Sequence, residues 1–139
     1  MQNCFTGKLY INGSAKPLLS NIFFEFDRLS FHLLESDDVF EASYSKLEIG
    51  LGGFENRSVE IKSVDTNGKI LYSLIDENQK DDFLDACSKI RNLIKPGMLE
   101  KINSQENKTK LIEIAYCSHS FICIFIILVI ITLIYKHFF

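Results

Sequence analysis

The apolar positions of this chain change their period twice. Between residues 5 and 75 they come in short runs separated by turn residues, which is how strands read. FTGKLYI is the first run and Asn12-Gly13 ends it; LLSNIFFEF is the second, and Asp27-Arg28 turns into LSFHLLE. In that third run Leu29, Phe31 and Leu33 alternate with Ser30, His32 and Leu34, the pattern of a half-buried strand. Ser36-Asp37-Asp38 leads into VFEASY, and KLEIGL comes next. Beyond Gly52-Gly53 and Asn56 lies SVEIKSV, where Val59, Ile61 and Ser63 share a face. Asp65-Thr66-Asn67-Gly68 contains Asn-Gly, the strongest short hairpin signal, and KILYSLI pairs back. About seven antiparallel strands are expected.

The first change of period comes at Asp76. Asp76 is a good N-cap residue, and Gln79 three positions on completes a capping-box pattern. Phe83, Leu84, Cys87, Ile90, Leu93 and Ile94 then recur at helical spacing, with Asp81, Asp82, Asp85, Lys89 and Arg91 largely on the other face. Pro96-Gly97 is expected to end this helix. The expected fold is mainly β: a pleckstrin-homology-like, seven-stranded antiparallel barrel or sandwich over residues 1–97, capped by one helix that covers an open end. Residues 98–113 show no strong hydrophobic stripe and read as a polar tether, or as a helix continuing into the apolar C-terminal run.

The second change comes at Ile114. From there to Tyr135 there is no Asp, Glu, Lys or Arg, a run of 22 residues, about 33 Å of helix and enough for a hydrocarbon core of roughly 30 Å. A core helix of a soluble domain keeps a polar face, and this run is apolar all round. Residues 114–136 are therefore expected to cross a membrane once, with a tail at 137–139. Tyr116 and Tyr135 sit where an interfacial aromatic belt would, and Lys136 can snorkel to the headgroups. Lys101, Lys108 and Lys110 flank the span upstream, with Arg91 and Lys95 further back, against Lys136 alone downstream. That asymmetry places the N-terminal domain in the cytoplasm. Cys117, at the boundary, reads as an interfacial cysteine; palmitoylation there is the less favoured alternative.

Composition narrows the function. The net charge of −3 lacks the Lys/Arg clusters that neutralise phosphates, so nucleic acid is not an expected partner. Cys4, Cys87, Cys117 and Cys123 form no CxxC and read as free thiols. MQNCFTGKLY has no basic region leading into an apolar core, so no cleavable signal is expected. His32, His119 and His137 give no HExxH, and HLLES falls on a strand, where His32 reads as solvent-facing. There is no GxSxG, and GLGGFEN lacks the Lys and adjoining helix of a phosphate cradle. Lys8 and Lys16 alone are too few for a phosphoinositide site, which leaves lipid-headgroup binding a minor alternative. No catalytic residue, metal ligand or cofactor is expected. The expected partners are the bilayer and another membrane protein, with no small-molecule substrate.

Two stretches carry a family resemblance. GKLYINGSAKP, residues 7–17, has the pattern G-x-x-Y-x-x-G-x-A-x-P, and DTNGKILYSLIDENQKDDFLDA, residues 65–86, joins a hairpin, a strand and a short helix. In that order, with a linker and a span after them, they resemble the N-terminal region of bacterial membrane-bound zinc metallopeptidases of the HtpX-like or CAAX-prenyl-protease type. The resemblance implies a small pleckstrin-like domain, a first transmembrane helix and an inner-membrane setting, with a catalytic domain after them in the family. It carries no catalytic residue over, because the chain has no HExxH helix with a downstream Glu ligand; the Trp-containing element expected in the middle strands is also absent, since the chain has no Trp. It leaves two expectations: a non-catalytic interaction or regulatory protein, or the leading piece of such a protease.

Overall fold

The structure is a computed structural model and describes residues 4–138. It divides into one compact unit reaching Gln105 and a second from Glu106 onward. In the first unit seven strands form one antiparallel sheet: β1 Cys4–Ile11, β2 Leu18–Phe24, β3 Arg28–Leu33, β4 Val39–Ser43, β5 Glu48–Gly52, β6 Ser58–Val64 and β7 Ile70–Ile75. The strand order is β4-β3-β2-β1-β7-β6-β5, so a four-strand meander and a three-strand meander join where β7 returns beside β1. The sheet curls into a half-barrel.

Every strand anticipated from alternation is present, and alternation sets its register. Phe5, Gly7 and Leu9 of β1 point into the core while Thr6 and Lys8 point out. Across the sheet, Ile22 pairs with Phe31 and Phe31 with Phe40, a fully or largely buried row on the same face. Val59, Ile61 and Ser63 bury together on β6. The turns also obey local chemistry. Asn12 and Gly13 both take positive φ, as a tight primed turn requires. The Asp65–Gly68 hairpin closes differently from the two-residue Asn-Gly turn expected. Only Gly68 is left-handed there, and the buried Asp65 carboxylate accepts from the Asn67 and Lys69 N–H groups at 2.6 and 3.2 Å. An Asx-type side-chain turn has displaced the primed one.

After β7 comes α1, Glu77–Lys89, which buries Phe83 and Cys87. Phe83 meets Phe5 edge-on at 5.2 Å and Phe24 at 5.3 Å, and Phe24 stacks on Tyr44. This aromatic group holds α1 on the sheet. Two expectations change here. Asp76 is the N-cap residue, but its side chain makes no capping bond. Gln79 reaches sideways instead of back: its amide accepts from the Thr6 N–H at 2.9 Å and donates to the Thr6 carbonyl at 3.0 Å. It satisfies backbone of β1 just past the last β1–β7 pair, Gly7 with Ile75. The helix also stops short of Pro96. From Ile90 the chain winds through tighter turns, Ile90 N–H to Cys87, Arg91 to Ser88 and Leu93 to Ile90, and these still deliver Ile94 into the core.

The last element is α2, Met98–Phe138. Its opening turns belong to the first unit. Ile102 is buried, Met98 and Leu99 pack against the core, and the Met98 thioether lies 3.1 Å from the Ile49 N–H of the edge strand β5. The segment from 98 is thus helical from its start and carries a short apolar stripe that its polar composition conceals. At the other edge, the Thr66 N–H reaches the Glu41 carbonyl of β4 at 3.3 Å. Both sheet edges are partly covered, which limits strand addition from outside. The remainder of α2 forms the second unit.

Candidate functional site

A group of hydrogen-bonded polar side chains lies on the outer face of β2–β3–β4. Ser30 and His32 share that face by strand period. Ser30 has no exposed surface, because Glu25 folds over it and its hydroxyl donates to Glu25 Oε1 at 2.7 Å. His32 Nε2 lies 3.2 Å from Ser30 Oγ, and the ring meets Phe23 edge-on at 4.8 Å. Since the serine proton is given to the carboxylate, Nε2 must donate to Oγ, which fixes the tautomer. His32 is half-buried against Phe23 rather than freely solvent-facing as expected.

A serine beside a histidine and a glutamate invites comparison with acyl-transfer chemistry. The order of contacts differs from a nucleophile–base pair. An attacking serine needs its hydroxyl directed at the base nitrogen and its oxygen open to substrate. Here Ser30 sits between the other two as a fully buried bridge. Next to it, Arg28 binds Asp27 at 2.7 and 3.0 Å and Glu41 at 2.8 Å. The guanidinium holds the Asp27 carboxyl below its ordinary range, and both carboxylates raise the arginine further. These contacts tie the β2–β3 turn to β4, a structural use of charge.

Cys87, Tyr44 and Tyr72 are similarly committed, whereas the buried Ser73 hydroxyl has no hydrogen-bond partner among the described residues. Burial pushes the Cys87 thiol up to about 12, which removes its thiolate at neutral pH. Burial also raises Tyr44 to about 12, and its hydroxyl donates to the Glu25 carbonyl. Tyr72 is raised to about 12, first by desolvation and then by its 2.9 Å bond to Glu60. The glycine-containing loop at 53–56 is a short turn with Gly53, Glu55 and Asn56 all at positive φ, and it leaves Phe54 82% exposed. Among the described residues no group of three or more His, Cys, Asp or Glu gathers to hold a metal.

The second unit presents the opposite surface. The α2 helix is long and apolar enough to cross a membrane, and its most apolar window has no buried residue. Its side chains are exposed on every side, from Phe121 and Ile122 to Ile134 and Tyr135. Two of its hydroxyls turn inward: Ser120 donates to the Tyr116 carbonyl at 3.1 Å and Thr132 to the Leu128 carbonyl at 2.7 Å. That is the satisfaction a helix in lipid requires of its hydroxyls. Cys117 and Cys123 are free thiols on this helix.

No protein-family model matches the chain, and neither a curated protein nor a solved structure matches it.

Proposed function

We propose that this chain is a single-pass membrane protein whose β domain lies on the cytoplasmic side and acts by binding another membrane protein, not by catalysis. One observation carries the reading. A small domain in which Ser30, Cys87, Tyr44 and Tyr72 are committed to packing or hydrogen bonds stands in the same chain as a helix exposed and apolar on every side. The lysines upstream of the span support the cytoplasmic orientation. Limited proteolysis of inverted and right-side-out vesicles tests it. Digestion of the β domain only when the cytoplasmic face is exposed is expected; the reverse pattern overturns the orientation. Peptidase activity of the purified chain, abolished by a zinc chelator, would overturn the non-catalytic reading.

A second reading is favoured by one specific feature, the order of elements. A small β domain, a helix and a span in succession is what the metallopeptidase resemblance implies at that family's amino end. On that reading the chain is the leading piece of a membrane protease, and pleckstrin-like describes its domain. The coding sequence immediately downstream distinguishes the two: a frame encoding HExxH supports the fragment, and an intergenic gap supports the independent protein.

A further inference from the structure

Exposed leucines and an acidic loop meet where β2 begins and β3 ends. The loop between β3 and β4, residues 34–38, is pinned on both sides. The Leu34 N–H donates to the Leu19 carbonyl at 3.0 Å, and the Leu33 N–H donates to the Asp38 carbonyl at 3.1 Å. Within the loop the Ser36 hydroxyl donates to Asp38 Oδ2 at 3.0 Å and accepts from the Asp38 N–H at 3.3 Å. These bonds hold Glu35, Asp37 and Asp38 in place, all three exposed. Among the described residues none of the three has an ion-pair partner. Beside them Leu18, Leu19 and Leu33 line a cleft of about 290 Å³ whose other walls are Glu35, Ser36 and Asp38. That is just below the roughly 300–1,000 Å³ of pockets that enclose a small molecule, so it suits one inserted side chain. Leu19 is 47% exposed, and Leu34 and Val39, which bracket the loop, are 52% and 46% exposed. Single exposed leucines are ordinary; these gather at one cleft with one sign of charge around it.

We propose that this cleft docks a basic segment of another membrane protein. An apolar side chain of that segment enters between Leu18, Leu19 and Leu33, and the Lys or Arg residues around it pair with Glu35, Asp37 and Asp38. Charge selects this occupant. Three carboxylates without counter-ions repel nucleic acid and anionic lipid and attract a cationic chain. The whole β unit is acidic, with 16 Asp and Glu against 12 Lys and Arg up to Gln105. Lys8 pairs opposite Leu19 on β1 and Lys16 precedes β2, but neither lines the cleft. The cytoplasmic flanks of membrane spans are segments that concentrate Lys and Arg beside apolar residues. A domain held to the membrane by its own chain meets them at high effective concentration. The apolar contact supplies affinity, and the exposed rim pairs select the partner and speed its approach. This deepens the functional reading above and rests on its cytoplasmic orientation for the source of the segment, though not for the cleft.

Fluorescence anisotropy tests it. The probe is a labelled peptide with two leucines between lysine runs, titrated with the full chain in neutral detergent micelles, protein-free micelles giving the background. Saturable one-to-one binding is expected. E35Q/D37N/D38N should weaken it by more than about tenfold, the combined effect of three exposed ion pairs. L19S/L34S should weaken it at least as much, and both leucines are exposed, so the fold is kept. D81N/D82N/D85N removes the same number of carboxylates from α1 and should change binding by less than about twofold, because charges that touch nothing in the ligand are screened. A peptide with serine for both leucines should bind more than about tenfold more weakly. Equal losses from the two charge variants, no loss from L19S/L34S, or equal binding of the serine peptide would overturn the cleft. A dimer of the chain that dissociates only in E35Q/D37N/D38N would assign the cleft to a second copy and overturn the partner. Vesicle proteolysis reads orientation separately: a β domain outside the cytoplasm overturns the source of the segment, while the peptide titration still decides the cleft.

Discussion

The two units of this protein use the same apolar side chains in opposite ways. In the β unit, Phe5, Leu9, Ile22, Phe31, Ile61 and Phe83 are buried because strand alternation and helix period direct them to one shared interior. In α2, residues of the same kinds point outward around the whole circumference. The first arrangement is complete in water. The second leaves its apolar surface uncovered unless lipid or another helix meets it. Apolar content by itself therefore says little about location; the periodicity of the apolar positions does.

Disrupting each unit in turn tests this contrast. The largest effect is expected from charging the span. Each arginine near the centre costs roughly 2.5–3.5 kcal/mol of insertion. L128R combined with I131R should shift the chain from the membrane pellet to the soluble fraction while leaving the β unit folded by circular dichroism. The converse is Phe83→Ala. Removing the ring that meets Phe5 and Phe24 should cost about 3–5 kcal/mol of unfolding free energy, with membrane retention unchanged. If either variant affects both readouts equally, the units are not independent.

Smaller effects concern the β unit alone. Cys87, Tyr44 and Tyr72 all hold their protons more tightly when folded, each raised to about 12. A group whose folded pKa is raised contributes stability that is complete below its unfolded pKa and is lost as pH rises through the folded value. The thiol should therefore begin to cost stability above about pH 8.5, its unfolded value, and the phenols above about pH 10. Thermal melts between about pH 8 and 12 should show a falling midpoint, and Cys87→Ala should flatten the first part of that fall. Smallest of all is a contrast between two neighbours. Gln79→Ala removes two bonds to Thr6 and should cost about 1 kcal/mol, while Asp76→Ala, whose side chain caps nothing, should cost less than about 0.5 kcal/mol by urea denaturation.

Gln79 and Asp76 also mark the boundary of what local sequence signals specify. The seven strands were legible because alternation and turn pairs are local signals. The use of Gln79 was not, because its partner Thr6 lies 73 residues away and a capping box is spelled with the same letters. Ser30 read as an outward position and is fully buried, since Glu25 covers it from across a turn. The helix running from Met98 was hidden by polar composition; Met98, Leu99 and Ile102 supply its contact with the core. The long apolar run of α2 was plain from composition, because it lacks charge from Ile114 to Tyr135.

The central claim is that α2 holds the β domain to a membrane. Alkaline carbonate extraction of membranes from cells making the full chain tests it most directly, because that wash strips peripheral proteins and leaves integral ones. The account predicts that the chain stays in the pellet and that the L128R and I131R double variant is released. Release of the unaltered chain into the supernatant would contradict it.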